Sequence, residues 1–259
     1  MTQSVISPSP VRAIVTGHSR GLGAALAELL LERQIDVLGV GRSAHPSLAQ
    51  RKRSTSASRD ADFVEATLDL ADPAALEQWL AGGALQRFAQ GAQCVVLFNN
   101  AGMVDPIAPP GAQDASAIAR AVTLNVAAPL MLANALASVQ AQERRIVHIS
   151  SGAARNAYAG WSVYCATKAA LDHHARAVAL DAPDGVRISS VAPGVVDTGM
   201  QATIRSTSVD HFPLRSRFEE LKQTGKLATP EDSARQLIDY ALSDAFGTSP
   251  IADVREVAP

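Results

Sequence analysis

The chain has 259 residues, 47% of them hydrophobic, and a formal net charge of −2. That supplies apolar material for one sizeable core, and the charge balance excludes the basic excess of a protein devoted to non-specific nucleic-acid binding. The two cysteines, Cys94 and Cys165, are too few and too far apart for a disulfide framework or a metal-ligand set, so two reduced, mostly buried thiols are expected. No apolar run is read as long enough to cross a membrane. The opening MTQSVISPSPVR lacks the charged stretch and apolar core of a signal peptide. The expected setting is cytoplasmic, with no nucleic acid, membrane or metal as partner.

In chain order, short β-type runs alternate with Ala/Leu-rich helical segments. Strands are predicted at 12–16, 36–41, 64–69, 94–99, 145–150 and 187–192. They are continuous apolar runs, as expected when helices cover both faces of a parallel sheet. Helices are predicted at 23–32, 73–81, 115–140, 163–180 and 230–243. This βαβ alternation implies an α/β fold: a Rossmann-type, doubly wound parallel sheet with helices on both faces, in a single domain over residues 1–259. The polar, basic stretch 45–60 reads as an exposed loop. Residues 198–226 are less regular and are expected to form a lid on the substrate side.

The first strand runs into TGHSRGLG, Thr16 to Gly23, and then into a helix. At such a turn Gly17 permits a tight bend, Gly21 lets the backbone approach a pyrophosphate, and Gly23 lets helix and strand pack closely. The helix N-terminus offers free N–H groups and a partial positive charge to phosphates. At the end of the second strand stand Arg42 and Ser43, where many NAD enzymes place an acid for the ribose 2′-hydroxyl. A guanidinium binds a 2′-phosphate that a carboxylate would repel, and Arg20 inside the turn approaches from the other side. The expected cofactor is NADP(H); taken singly, either arginine reads equally as a surface residue.

TGHSRGLG resembles the cofactor turn of the short-chain dehydrogenase/reductase family. Further stretches agree in the family's order: LDL at 68–70, NNAG at 99–102, the set Ser151, Tyr164 and Lys168, and PGVVDT at 193–198. The resemblance implies cofactor contacts from Ser19 and Leu22 in the turn, from Asp69 (to the adenine amino group) and Leu70, and from Asn99, Ala101 and Gly102 beside the adenosine ribose. Asn99 reads equally as a sheet-stabilising residue. It also implies that Pro193, Gly194, Val196 and Thr198 line the nicotinamide side.

Tyr164 and Lys168 are four apart on a predicted helix and share a face. A phenol has a reference pKa of about 10, and a nearby ammonium is expected to lower it. Lys168 can also bond the nicotinamide ribose. Ser151 precedes Tyr164 by thirteen residues, the family's interval, and its hydroxyl can hold a substrate carbonyl while Tyr164 donates the proton. For Asn125 the resemblance implies a water held near Lys168 in a proton relay; the other reading is a polar residue that distorts its helix. Ser150 reads as a structural neighbour, and His18, His148, His173 and His174 receive no catalytic role.

AGWSVYCATKAALD, 159–172, is similar to the active-site segment of the branch holding sepiapterin reductases and bacterial benzil-type diketone reductases, and the C-terminal layout of that branch fits as well. The resemblance makes Asp253 either an anchor for a pterin's guanidine-like edge or a solvent-exposed acid near the terminus. Trp161 is a cavity wall or a core residue, and Met200 and Met103 offer adaptable apolar surface. The family pairs its two long helices across a two-fold axis, which implies a homodimer, with a tetramer as the alternative. The tail lacks the family's glycine-rich seventh-strand pattern. The expected activity is NADPH-dependent reduction of a 1,2-diketone or a pterin side-chain carbonyl. The runner-up is a catalytically silent NADP(H)-sensing regulator.

Overall fold

The computed structural model describes residues 11–48 and 61–257. Seven parallel strands form one sheet in the order β3-β2-β1-β4-β5-β6-β7, with helices on both faces. The strands are β1 Val11–Thr16, β2 Asp36–Gly41, β3 Phe63–Thr67, β4 Cys94–Asn99, β5 Glu143–Ile149, β6 Val186–Ala192 and β7 Ile251–Asp253. The order reverses between β1 and β4, the switch point at which α/β sheets open a crevice for ligands.

Side-chain alternation in the strands divides the core. From β1, Ala13 and Val15 join the layer formed with α1 (Gly21–Glu32) and α9 (Pro230–Leu242). Ile14 faces the opposite layer, with α2 (Pro73–Ala81), α3 (Ala84–Ala89), α5 (Ala128–Ala137) and α6 (Ser162–Asp181). Because both faces are covered, β1, β2, β4, β5 and β6 are almost wholly buried runs.

Five features depart from the sequence reading. The helix expected at 115–140 is three pieces: α4 Ala115–Val122, a π-helical turn Thr123–Ala127, and α5. By length and composition the stretch Ala115–Ala137 is apolar enough to cross a membrane, with mean hydropathy 1.4, which corrects the expectation that no run reaches that length. It lies along the sheet, with Leu132, Ala133 and Leu136 in the core and Arg120 paired to Asp69 at 2.9 Å. A seventh strand exists, although only three residues long, and its residues Ala252 and Asp253 align with Val191 and Ala192 of β6. The stretch 198–226 is largely helical, α7 Gly199–Ser206 and α8 Arg215–Gln223. Of the polar loop at 45–60, residues 49–60 lie outside the described residues; His45 and Leu48 are buried rather than exposed.

Candidate active site

The strand-to-helix turn after β1 opens onto a cleft of about 1110 Å³. Gly17 and Gly21 adopt left-handed backbone, φ +68° and +54°, which glycine enters without penalty. A Cβ on Gly23 would lie 2.2 Å from the Gly17 carbonyl oxygen, so only glycine lets α1 start this close to the strand. Thr198 closes over the turn, its Cγ2 3.2 Å from where a Cβ on Gly21 would sit. Backbone therefore forms the cradle, as close approach to a phosphate requires. At one end of the cleft stand Arg20, Arg42 and Ser43, with Asp69 and Leu70 alongside. Burial opposes ionisation of Asp69, but the Ala71 N–H together with Arg120 and Arg42 outweighs it and holds the carboxyl below its usual range.

The floor comes from the end of β4. Asn99 does not line the cleft: its side chain is buried, with Nδ2 donating to the Pro129 carbonyl at 3.2 Å and lying 3.1 Å from His148 Nδ1. Its neighbour Asn100 faces the cleft and ties the glycine turn to β4. Its amide donates to Thr16 Oγ1 and its side chain to the Thr16 carbonyl, both at 2.9 Å. The repeated asparagine in NNAG divides into a sheet residue and a cleft residue because successive side chains alternate across a strand.

Ser151, Tyr164 and Lys168 converge at the middle of the cleft. Ser151 follows β5 and caps a short turn, its Oγ accepting from Ala153 N at 3.1 Å. It lines the same part of the cleft as Tyr164. Lys168, one turn along α6, donates from Nζ to the Ile149 carbonyl at 2.7 Å and lies 5.8 Å from the Tyr164 ring centre. The electrostatics differ from the sequence expectation. Burial pushes the Tyr164 phenol up to about 12, Ser151 offsetting only part of this. Burial also pushes Lys168 down to about 8 against the pull of Asp172. Desolvation wins because both side chains are nearly sealed, at 7% and 5% exposure.

Asn125 sits in the π turn, behind the cleft wall. Its Oδ1 accepts from Met103 N at 2.9 Å, and its Nδ2 donates to the Met103 carbonyl at 2.8 Å and to Thr167 Oγ1 at 3.2 Å. It thus pins the loop after β4 to α6. Asp172, which sequence reasoning passed over, carries the base of the site. Its Oδ1 accepts from Ser150 Oγ at 2.5 Å and Ser190 Oγ at 2.7 Å, and its Oδ2 from Arg155 Nε at 3.3 Å. Its position one turn after Lys168 on a helix was the available signal.

Pro193, Gly194, Val196 and Thr198 line the next part of the wall. Beyond Tyr164 the cleft becomes aromatic. Trp161 stacks on Phe212 at 4.7 Å and packs against Phe218 of α8 at 5.4 Å, so it is both cleft wall and core. Met103, Met200, Tyr158 and Leu221 continue this lining. Asp253 does not reach the cleft. It is buried at the end of β7, where its carboxylate accepts from Arg255 Nε at 2.8 Å and Nη2 at 2.6 Å. Arg255 lines the cleft instead.

A doubly wound sheet, a phosphate-sized backbone cradle at its switch point and a Ser-Tyr-Lys cluster in the same cleft define a nicotinamide-dependent oxidoreductase. The comparisons agree. The family model for short chain dehydrogenase matches residues 12–209. Benzil reductase ((S)-benzoin forming) of Bacillus subtilis (strain 168) is 34% identical over 253 residues, 94% of this chain and 98% of that protein. Sepiapterin reductase of Mus musculus is 33% identical over 242 residues, covering 90% and 92%. The crystal structure of a short-chain dehydrogenase/reductase from Burkholderia vietnamiensis is 56% identical, covers 96% of this chain and 100% of its own, and has a TM-score of 0.65. The chain belongs to the short-chain dehydrogenase/reductase family, in its sepiapterin reductase and benzil reductase-like branch.

Proposed function

We propose that the protein is an NADPH-dependent carbonyl reductase acting on a 1,2-diketone or a pterin side-chain carbonyl. The observation that carries this reading is the convergence of Ser151, Tyr164 and Lys168 in the cleft that begins at the glycine turn. The named substrates of the curated relatives, benzil and sepiapterin, support the substrate class. The cradle fits a dinucleotide: left-handed glycines, a first helical turn with open N–H groups, and two arginines at the adenosine end, with no carboxylate where Arg42 and Ser43 stand. That pair of arginines supports the 2′-phosphorylated form.

When bound, the reduced dinucleotide supplies a hydride for the carbonyl carbon. Ser151 holds the carbonyl oxygen, and Tyr164 donates its proton to that oxygen as negative charge develops there. A phenol raised to about 12 is fully protonated at neutral pH, the form that reduction needs. Lys168, fixed on the Ile149 carbonyl beside the Tyr164 ring, would hold the dinucleotide ribose and set a positive charge beside the proton donor. The Trp161–Phe212–Phe218 wall excludes water from the far side.

The test is NADPH consumption by purified protein with benzil or sepiapterin. Turnover is expected, with kcat lower by about a hundredfold or more in Tyr164→Phe. A catalytically silent NADP(H) sensor would instead bind NADPH tightly and turn over no carbonyl compound, and that outcome would replace the reductase reading.

A further inference from the structure

Beside Gly194 the cleft carries a guanidinium whose direction is fixed by the sheet. Ala192 of β6 aligns with Asp253 of β7, and Val254 N donates to the Ala192 carbonyl at 3.0 Å. This register brings Arg255 beside the turn that follows β6. Its Cδ lies 3.9 Å from where a Cβ on Gly194 would sit. The end of β7 is itself held, because Arg155 Nη2 donates to the Ala252 carbonyl at 3.0 Å. Asp253, 5% exposed, takes Nε and Nη2 of Arg255, while the arginine side chain is 65% exposed. A guanidinium has five N–H donors in a rigid plane. With Nε and one Nη2 hydrogen committed, Nη1 has no partner among the described residues.

The consequence is a polarity for the subsite. The buried carboxylate is already occupied, so what lines the cleft is a set of fixed donors. A donor edge, such as the aminopyrimidinone edge of a pterin, meets donors there and finds the carboxylate taken. An oxygen acceptor meets a charge-assisted partner at little ordering cost. Trp161, Tyr158, Phe218 and Leu221 give the cleft aromatic and apolar surface, beside the polar Asn156, Gln201 and Arg217. We propose that Arg255, held by Asp253, is a specificity-determining subsite that selects an apolar carbonyl compound bearing a second oxygen acceptor, a 1,2-dicarbonyl, over a pterin. This rests on the reductase reading and narrows its substrate class.

The test compares three probes by quenching of tryptophan fluorescence, which needs no turnover: benzil, sepiapterin, and deoxybenzoin, which keeps benzil's aryl groups but lacks its second oxygen. The wild type is expected to bind benzil about tenfold or more tightly than deoxybenzoin. Arg255→Ala should erase most of that preference and, by freeing the Asp253 carboxylate, tighten sepiapterin. The double variant Asp253→Asn/Arg255→Ala, which leaves no unpaired buried charge, should lose the benzil preference without gaining sepiapterin. An unchanged benzil preference in Arg255→Ala, parallel weakening of all three probes, or no binding by the wild type overturns the subsite. The predicted contrast without NADPH consumption supports the subsite and overturns the reductase reading alone.

Discussion

Asp172→Ala and Asp172→Asn separate two roles of the carboxylate beneath the site. Asp172 is 2% exposed and holds Ser150, Ser190 and Arg155. Alanine leaves the buried hydroxyls of Ser150 and Ser190 without their acceptor, at about 1–3 kcal/mol each, and removes the counter-charge of a partly exposed arginine, which solvent screens. The total is about 3–5 kcal/mol, or a melting-temperature loss of roughly 10 °C for a chain of this size. Asparagine keeps the shape. Its amide can donate to the two hydroxyls and accept from Arg155, so about 1–2 kcal/mol is expected. What asparagine cannot keep is the negative charge one helical turn from Lys168. Asp172 holds the Lys168 pKa up against burial. Without that charge burial acts on Lys168 unopposed, and its pKa falls further. Since Lys168 already stands at about 8, the alkaline limb of kcat against pH should move toward neutral pH in Asp172→Asn, while its melting temperature falls by only a few degrees. Scanning calorimetry and a pH-rate series supply both readouts. A melting temperature for Asp172→Ala within about 2 °C of the wild type, or an unmoved alkaline limb in Asp172→Asn, would refute this reasoning.

Arg42→Asp should shift the kcat/KM ratio from NADPH toward NADH by about tenfold or more, because the 2′-phosphate would meet a like charge; retained NADPH preference would remove the cofactor assignment. Gly23→Ala should cost about 1–3 kcal/mol in urea unfolding and weaken NADPH binding in calorimetry, because its Cβ would stand 2.2 Å from the Gly17 carbonyl; wild-type values for both would show that the turn yields easily. Chemical unfolding across pH should report the buried bases. His148 is lowered from 6.5 to about 3 by burial, chiefly, and by nearby His174 and Lys168. The unfolded chain therefore binds the extra proton as pH falls from 6.5, and stability declines across that window. Lys168, lowered from 10.5 to about 8, makes stability rise between those values, and Tyr164, raised from 10 to about 12, makes it fall above 10. A stability profile flat from pH 5 to 8 would contradict the His148 assignment.

The parallel sheet was legible because its strands are apolar on both faces, and the glycine turn because backbone conformation at Gly17 and Gly21 demands that residue type. Less was legible where a pattern was too short or too local. The three residues Ile251–Asp253 give no period, so β7 is visible only through its pairing with β6. Asn125 could be read as a residue that distorts its helix, but the partner its side chain takes, the Met103 backbone, lies in a loop 22 residues away. The Tyr-Lys spacing implied a phenol lowered by its neighbour, but spacing carries no information about desolvation, and burial moved the phenol the other way. Asp253 was read as an anchor or an exposed acid because sequence alone does not show that the sheet register buries it and pairs it with Arg255, two residues on.

The most direct test of the account is to follow the label from NADPH deuterated at the transferring position, with benzil as acceptor. The account predicts deuterium on the carbinol carbon of the benzoin formed by the wild type, and about a hundredfold slower formation of that labelled product by Tyr164→Phe. Product without deuterium, or equal rates of labelled product from the two proteins, would contradict it.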